Sequence, residues 1–315
     1  MSGYLEVTDM HQNNLSGVLP NTFSVVSSLR SFNLHGNELE GKIPWSLANC
    51  KELQDLDLGD NHLIDTFPMW LGTLPKLQVL SLRSNKLYGP IITSRNEIIF
   101  AELRIIDLSC NDFSGNLPTN YHSSVTIANK GQELELVRIL TIYTSIDLSS
   151  NKFEGPIPSI MGDLIALQLL NLSHNRLQSQ IPPSLGSLSL VESLDLSGNH
   201  LVGEMLAQLS SLASLEVLNL SYNHLKGCIP QGPQFQTFES NSYEGNDGLC
   251  GFPISKVCGK NCVSETNYTV SALDHQESNS ECLNDFWKAA LMGYRSGLCI
   301  GLSIVYFTIS TRNLR

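Results

Sequence analysis

Three features of the 315-residue sequence predict a solenoid of stacked units with short parallel strands on its concave side. First, the chain holds 50 Leu and 26 Asn, and Leu favours cores whereas Asn favours turns. Second, the motif L-x-x-L-x-L-x-x-N recurs nine times, and six of its eight spacings are 24 residues. The Asn that closes each unit is Asn13, Asn37, Asn61, Asn85, Asn111, Asn151, Asn175, Asn199 and Asn223. Third, 42% hydrophobic residues can bury a core, which excludes a mostly disordered chain.

Each unit is predicted to open with one short strand. In the third unit, Leu56 and Leu58 face inward and the residues between them face outward, because side chains alternate along a strand. Asn61 then turns the chain, and its amide can bond backbone groups of the turn. One unit cannot bury its own leucines, so the units must stack. This motif and period are the signature of leucine-rich repeats, a fold of the α/β class.

The second half of each unit carries the motif L-x-G-x-I-P, for example at residues 39–44 and 153–158. Gly permits a bend that a Cβ opposes, and Pro fixes φ and removes a backbone donor. This 24-residue version resembles the plant extracellular subfamily of leucine-rich repeats. Asp65, Ser179 and the Met205-Leu206 ending depart from the motif, and we interpret them as tolerated surface variation with modest local destabilisation.

The repeat is interrupted once, between Asn111 and Asn151, where the spacing is 40 residues. We therefore predict five units over residues 1–118, an insertion over 119–143 and four units over 144–230. A long insertion in a compact fold is usually functional or disordered. The arrangement resembles the plant receptor-like proteins of the disease-resistance class, including the leaf-mould (Cf) type, which carry an island before their last four repeats. The first half of such an island is shortened here, and an inert insertion is the alternative.

Residues 231–262 are predicted to form a C-terminal cap, because the leucines of the last unit need a cover. The stretch 245–258 resembles the cap of the same family. With that resemblance, Cys250 and Cys258, eight positions apart, are predicted to form a disulfide, which implies an oxidising compartment. The pairing of the other nearby cysteines stays open.

An acidic spacer is predicted over residues 263–285, and an apolar segment follows it. Residues 289–309 carry a single charge, Arg295, and are long enough as a helix to cross the ~30 Å hydrocarbon core. We predict a transmembrane helix over 286–309 and a short cytoplasmic tail over 310–315. A buried core helix is the alternative, although nothing in the solenoid would enclose it.

Gly293, Gly297 and Gly301 recur every four residues within this segment. Small residues on one face of a membrane helix let a second helix approach closely. The stretch resembles the membrane segment of the Cf-type receptors, and that resemblance implies pairing with a partner receptor kinase. Arg295 departs from the family, which has a small residue there. Glycines that any membrane helix tolerates are the alternative.

Glycosylation sequons and the cap cysteines place the repeats outside the cell. The sequons are at Asn14, Asn171, Asn219 and Asn267. We predict a single-pass plasma-membrane protein with extracellular repeats. The chain begins inside a repeat and no signal peptide precedes it, so we expect the C-terminal portion of a longer receptor.

Ligand contacts are predicted on outward positions of the concave face, which are uniform Asp/Asn–Ser pairs after the insertion but vary before it. Varied side chains on a rigid surface suit recognition, so we select four candidate contacts. They are His11, His35, Asp57 and Arg83. Ordinary solvated strand residues are the alternative. His11 and His35 lie one unit apart, ~5 Å in adjacent strands, so a pH response or a shared metal is a minor hypothesis.

Several function classes are excluded by composition and motifs. The net charge of −11 argues against nucleic acid, which needs a basic surface. Neither a Ser–His–Asp set nor a catalytic carboxylate pair stands out, so an enzyme is not predicted. The sequence has no Cys/His set with zinc spacing, and no metal or cofactor is predicted. Cys50 and Cys110 lie in separate repeats and are predicted to be free, buried thiols.

The leading hypothesis is a membrane-anchored receptor-like protein that lacks a kinase. It recognises an extracellular elicitor, a protein or peptide, and signals in plant defence through a partner receptor kinase. One alternative is a developmental receptor-like protein for a peptide hormone, and another is a truncated, non-signalling remnant. A secreted inhibitor of cell-wall-degrading enzymes shares the repeat, but the predicted membrane segment counts against it.

Overall fold

The computed structural model describes residues 5–92, 100–119, 122–129, 132–139, 142–254 and 258. The strands are β1 (Val7–Asp9), β2 (Ser16–Val18), β3 (Ser31–Asn33), β4 (Glu38–Gly41), β5 (Asp55–Asp57), β6 (His62–Leu63), β7 (Val79–Ser81), β8 (Tyr88–Pro90), β9 (Ile105–Asp107), β10 (Asp112–Asn116), β11 (His122–Asn129), β12 (Gln132–Ile139), β13 (Ser145–Asp147), β14 (Lys152–Pro156), β15 (Leu169–Asn171), β16 (Arg176–Ser179), β17 (Ser193–Asp195), β18 (His200–Glu204), β19 (Val217–Asn219), β20 (His224–Cys228) and β21 (Gly248–Cys250). Short 3₁₀ helices follow many of the units. They are Trp45–Asn49, Met69–Thr73, Ser159–Asp163, Pro183–Ser187, Ala207–Ser211 and Ser240–Tyr243.

One strand from each unit joins a nine-stranded parallel sheet in the order β1-β3-β5-β7-β9-β13-β15-β17-β19. The strands pair in the register of the repeat, so that Phe32 lies beside Leu56 and Leu56 beside Leu80. The predicted leucine-rich-repeat solenoid with short parallel strands is confirmed. We call the outward face of this sheet, which bears Asp57 and Asp147, the ladder face.

The inward side chains of the same sheet form the core. Leu53, Leu56 and Leu58 have no exposed surface. Phe113 and Phe153, in the units on either side of the insertion, stack with their ring centroids 6.3 Å apart. Burial of one large apolar side chain contributes ~1.5–3 kcal/mol, so the summed burial of repeated leucines is what holds the units together.

The Asn that closes each unit ties neighbouring units to each other. The Asn61 amide donates to the carbonyl oxygens of Leu58 at 3.1 Å and of Leu34, in the preceding unit, at 3.0 Å. Its Oδ1 accepts from the N–H of Leu39, also in the preceding unit, at 3.0 Å. Because Asn61 is only 4% exposed, these bonds satisfy a buried amide. The same arrangement recurs at Asn37, Asn85, Asn111, Asn151, Asn175, Asn199 and Asn223.

The second halves of the units form two further parallel sheets, β2-β4-β6 and β21-β20-β18-β16-β14-β10-β8. The Gly of L-x-G-x-I-P takes a left-handed φ, +79° at Gly41 and +76° at Gly155. Ser179 keeps this conformation with φ +72°, at the cost of strain from its Cβ. Asp65 is not among the residues with a left-handed φ, but the Tyr88 N–H still donates to the Asp65 carbonyl at 2.9 Å and Thr66 pairs with Tyr88. The pairing between neighbouring units therefore continues past Asp65, in line with a tolerated departure from the motif.

The predicted cap continues the pattern of the repeat for part of one more unit. The Asn246 amide donates to the Leu220 carbonyl at 2.9 Å, and its Oδ1 accepts from the Leu225 N–H at 3.0 Å. The asparagines that close the repeat units make the same two bonds. Strand β21 then pairs with β20, which places Gly248 beside Lys226. The cap covers the last unit by imitating its hydrogen bonds, a feature that the leucine motif did not indicate.

The insertion contains an antiparallel hairpin, in which His122 of β11 pairs with Ile139 of β12. Both parallel sheets close across it, because β9 pairs with β13 and β10 pairs with β14. The chain therefore leaves and rejoins the stack between two adjacent units without interrupting either sheet. The exact bounds that we assigned to the domains stay predictions.

Within the residues that the structure describes, no helix combines the length and apolar character that crossing a membrane requires. The predicted acidic spacer (263–285), transmembrane helix (286–309) and tail (310–315) lie outside those residues.

Candidate functional site

Side chains on the ladder face bond to the residue two positions further along their own unit. Asp57 Oδ1 accepts from the N–H of Gly59 at 2.9 Å. Asp147 Oδ1 accepts from the N–H of Ser149 at 2.9 Å and from its hydroxyl at 2.6 Å. The Asp/Asn–Ser pairs with such a hydroxyl bond are Asp107–Ser109, Asp147–Ser149, Asn171–Ser173, Asp195–Ser197 and Asn219–Ser221. From Asp107 onward, each outward Asp or Asn is therefore held by the serine of its own unit.

Before Asp107 the ladder face carries an ionic network that links three consecutive units. His35 Nε2 lies 3.0 Å from Asp60 Oδ2, and a guanidinium nitrogen of Arg83 donates to the same oxygen at 2.9 Å. His35 Nδ1 lies 3.6 Å from Asp57 Oδ1, beyond hydrogen-bond distance, so this pair interacts through charge. Three of the four predicted contacts, His35, Asp57 and Arg83, therefore lie together.

The network fixes the charge of its members. The carboxylates of Asp57 and Asp60 raise the pKa of His35 to about 9, against the opposing effect of burial. Burial disfavours the ionised form of Asp60, but bonds from His35 and Ser84 and the charge of Arg83 hold its pKa well below the usual range. His35 is therefore a fixed cation around neutral pH, which speaks against the pH response suggested for it from the sequence.

Gly59 makes room for this network. A Cβ at Gly59 would lie 3.0 Å from Arg83 Cγ, 3.0 Å from His35 Nδ1 and 3.1 Å from Asp57 Oδ1. The other outward positions two residues before the repeat Asn carry side chains in every unit. Because Gly59 has no side chain, His35 and Arg83, from the units on either side, can approach each other across its position.

Sequence reasoning missed Asp60, which accepts from both cations of the network. It precedes the repeat Asn61 in a left-handed conformation with φ +49°, a position outside the alternation that selects outward residues. One signal was available: Asp60 is the only carboxylate among the nine residues that directly precede a repeat Asn.

His11 lies apart from the network. Its Nδ1 is 2.6 Å from Asp9 Oδ1 in the same unit, and this bond lowers the pKa of Asp9. The side chains of His11 and Asp9 are 49% and 50% exposed, whereas those of His35 and Arg83 are 20% and 16% exposed. His11 and His35 thus bond different carboxylates, an arrangement that does not favour a metal shared between them. The groups most available to a ligand are Asp9 and His11, followed by Asp57.

The predicted disulfide is wrong, because the structure pairs Cys258 with Cys228 and not with Cys250. Strands β20 and β21 pair in a register that places Cys228 beside Cys250, so Cys258 meets both of them. The Cys250 sulfur lies 3.6 Å from that of Cys228 and 3.7 Å from that of Cys258. Spacing in sequence favoured the nearer cysteine and contained no information on this register.

Of the predictions for Cys50 and Cys110, one is confirmed and one is wrong. Cys50 is a free, buried thiol, as predicted, and burial raises its pKa. Cys110 is disulfide-bonded, so its prediction as a free thiol is wrong. In the described part of the chain, one group of three side chains is close enough to hold a metal: Cys228, Cys250 and Cys258. All three sulfurs are in disulfides and are not the thiolates that a metal needs.

The predicted glycosylation sites differ in their surroundings. Asn14 is exposed. The amides of Asn171 and Asn219 donate to Asp147 at 3.1 Å and to Asp195 at 3.2 Å, so a glycan there would replace a ladder bond. Asn267 lies outside the described residues, as do the helix-pairing candidates Gly293, Gly297 and Gly301. All of these sites stay predictions.

The bonded asparagines that close the repeat units and the parallel sheets define the class of protein, and family models agree with them. Two models of the leucine-rich repeat match the chain, one over residues 144–201 and one over 28–50, 52–74, 102–123 and 214–235. Both the fold and these matches show that the described part of the chain is built from leucine-rich repeats.

Within that class, the chain is similar to plant receptor-like proteins. Receptor-like protein Cf-9 of Solanum pimpinellifolium is 53% identical over 252 residues, which cover 71% of this chain and 29% of Cf-9. The predicted resemblance to the Cf-type receptor-like proteins of plants is confirmed. The chain thus spans less than a third of the length of this relative.

Solved structures of plant receptors share the fold. One is the leucine-rich-repeat ectodomain of the membrane receptor kinase GASSHO1/SCHENGEN3 from Arabidopsis thaliana in complex with CASPARIAN STRIP INTEGRITY FACTOR 2, with a TM-score of 0.64 and 32% identity over 82% of this chain and 32% of that one. Another is the Arabidopsis receptor kinase HAESA with the peptide hormone IDA and the co-receptor SERK1, with a TM-score of 0.57 and 30% identity over 78% of this chain and 42% of that one. These likenesses support a plant leucine-rich-repeat receptor and suggest a non-enzymatic role for this region.

Proposed function

We propose that the chain forms part of a membrane-anchored plant receptor-like protein that lacks a kinase and recognises an extracellular elicitor, a protein or peptide, on its ladder face. The receptor signals in defence through a partner receptor kinase. The 53% identity to Cf-9 supports this class of receptor. The proposal involves no cofactor and no nucleic acid.

The observation that carries the proposal is the contrast along the ladder face. From Asp107 onward the outward Asp and Asn side chains are held by the serines of their own units, whereas Asp9 and His11 present a charged pair that is about half exposed. Asp57 is 35% exposed and is held by the N–H of Gly59. Charged groups held on a rigid sheet give orientation and specificity to a partner of complementary charge.

The complexes of similar receptors support both kinds of partner. GASSHO1/SCHENGEN3 was solved with CASPARIAN STRIP INTEGRITY FACTOR 2, and HAESA was solved with a peptide hormone and a co-receptor. A chain of the same fold has the same kind of sheet to offer an extracellular ligand. The partner kinase is the part of the proposal that rests on the predicted membrane helix.

Ligand capture from secreted proteins of a leaf pathogen tests recognition on this face. The full chain should retain a protein or peptide, and the double variant Asp9→Ala with His11→Ala should retain at least about tenfold less, equivalent to ~1.4 kcal/mol. The matched control is Glu52→Ala with Lys76→Ala, because that pair is also 2.6 Å apart and similarly exposed but lies off the ladder face. If both double variants lose the ligand equally, or neither does, the ladder face is not the binding surface.

Recruitment of a kinase is tested by co-purification from plant membranes. Replacing Gly293, Gly297 and Gly301 with Leu should abolish recovery of the partner kinase, because bulky residues prevent close helix approach. Ser303→Leu serves as the control, since a residue two positions from Gly301 faces away from the stripe on a helix. Unchanged recovery with the three leucines refutes this part of the proposal.

A developmental receptor for a peptide hormone is the second candidate, and the HAESA–IDA complex is the observation that favours it. The same capture experiment separates the two candidates when it is run in parallel with secreted plant peptides. Retention of a plant peptide alone favours development, and retention of a pathogen protein favours defence.

A further inference from the structure

Asp107 and Asp147 break the hydrogen-bond pattern of the ladder face. After the insertion the ladder alternates carboxylate and amide, and the amide nitrogen of Asn171 donates to Asp147 Oδ2 at 3.1 Å. The same bond joins Asn219 to Asp195 at 3.2 Å. Across the insertion, Asp107 of β9 lies in register beside Asp147 of β13, so a carboxylate takes the place of the amide.

This juxtaposition sets two like charges side by side in a partly buried place. Neighbouring strands lie about 4.8 Å apart, a distance at which two carboxylates repel each other unless one is protonated. Both are held in place by their own serines, Ser109 and Ser149, so neither side chain can turn away without losing a bond. Protonation of one of the two carboxyls relieves this repulsion without moving either side chain.

The charged groups around the pair do not remove the repulsion. Arg83, beyond β7, favours ionisation of Asp107, but Arg83 donates to Asp60. Asp57, from β5, adds a further negative charge. On the other side, β15 presents the neutral amide of Asn171.

We propose that Asp107 and Asp147 form a proton-dependent joint between the units before the insertion and the units after it. A proton on one of the two carboxyls removes the repulsion between β9 and β13, and its loss weakens this joint alone. The joint lies where the hairpin leaves and rejoins the stack, so solution pH acts on the middle of the nine-stranded sheet. The inference does not depend on the identity of the ligand.

The protonation behaviour agrees with this geometry. Burial, and then the Asp107 carboxylate, raise the pKa of Asp147 to about 7, and burial raises the pKa of Asp107. A carboxyl whose pKa is higher in the folded chain holds its proton there after the unfolded chain has lost its own. The joint is therefore strongest in acid, weakens as pH rises above about 4, and has lost this contribution once the pH has passed through about 7.

Residue-resolved amide hydrogen exchange of the full chain tests the joint. The Leu108 N–H donates across it to the Asp147 carbonyl, and the Leu172 N–H donates in the same way to Asp195 at a reference joint. From pH 5.5 to pH 8, after correction for intrinsic exchange, protection at Leu108 should fall about tenfold more than at Leu172. Equal loss at the two amides overturns the proposal.

Isosteric variants complete the test. Asp147→Asn and Asp107→Asn each replace a repelling carboxylate by an amide, so either should keep protection at Leu108 high at both pH values. Asp195→Asn is the matched control, because Asp195 has the same serine bonds but an amide neighbour, and it should leave the pH response of Leu108 in place. If Leu108 still responds to pH in Asp147→Asn and Asp107→Asn, or loses its response in Asp195→Asn, the joint is not set by this pair.

Discussion

Arg83 reaches back across one repeat and donates to the carboxylate of Asp60 at 2.9 Å. The same oxygen of Asp60 lies 3.0 Å from His35, one unit further back. Asp60 thus joins cations from the units before and after its own. Two of the predicted ligand contacts, His35 and Arg83, are held in this network and present little surface to solvent.

His35 should make stability depend on pH in the alkaline range. Its pKa is about 9 in the folded chain and ~6.5 when unfolded, so its contribution is complete below pH ~6.5 and is lost as pH rises to about 9. We expect a loss on the order of 1–2 kcal/mol, reduced by partial exposure. Urea unfolding at pH 6 and pH 9 gives the change in unfolding free energy between these pH values for the native chain and for His35→Gln. The contribution of His35 is the difference between the two changes.

The Asp60→Asn variant is the control for that measurement. Without the Asp60 carboxylate, the imidazole loses its closest partner, and an NMR titration should show the His35 pKa move down toward ~6.5. A pKa that stays near 9 in Asp60→Asn contradicts the network.

Replacing the asparagine that closes a repeat unit should lower the free energy of unfolding more when that asparagine is buried. Asn151 is 8% exposed, donates to the Leu108 carbonyl at 3.0 Å and accepts from the Phe113 N–H at 3.0 Å, so it ties units across the insertion. Asn151→Ala leaves buried backbone groups unpaired and should cost about 2–4 kcal/mol of unfolding free energy. Asn13→Ala, at an exposed asparagine that bonds its own unit, should cost under about 1 kcal/mol. If chemical denaturation shows a similar loss of unfolding free energy for both variants, the bonds of the repeat asparagines between units are not a source of stability.

Ser179 should be a site of easy stabilisation. Its φ of +72° strains a residue with a Cβ, and Ser179→Gly relieves the strain at some cost in unfolded-chain entropy. We expect a net gain of about 0.5–1 kcal/mol in thermal unfolding. The reverse change, Gly227→Ser at φ +87°, should destabilise by a similar amount. No gain at Ser179 shows that its conformation is not strained.

The cap disulfide is directly open to peptide mapping. Without reduction, digestion at both glutamate and lysine separates Cys228 from Cys250, and we expect a fragment that joins Cys228 to Cys258. Digestion at lysine alone is insufficient, because Cys228 and Cys250 then share one fragment. A fragment that joins Cys250 to Cys258 restores the pairing predicted from the sequence. Removal of the native pair should cost ~3 kcal/mol, the usual value for a loop of this order.

The regular part of the fold was predictable because each unit repeats the same physics. The inward leucines, the register and the bonding role of Asn61 follow from the alternation of a strand and the need to bury its face. Asn246 was not predictable by that route, because the cap keeps the hydrogen bonds of a unit without its leucine motif.

The candidate site was predictable only in part. Alternation selected Asp57 correctly as an outward residue, but Asp60 lies in a left-handed turn where alternation does not apply. The sequence also could not show that His35 and Arg83 close over Gly59, since this depends on packing between units. Disulfide pairing failed for the same reason, as the register of β20 and β21 decides which sulfurs meet.

We have proposed that this leucine-rich-repeat chain recognises an extracellular protein or peptide on its ladder face. Hydrogen exchange of the full chain with and without a captured ligand is the sharpest test of that proposal. We expect added protection around Asp9, His11 and Asp57, and none around Glu52 and Lys76. Protection confined to surfaces away from the nine-stranded sheet would contradict it.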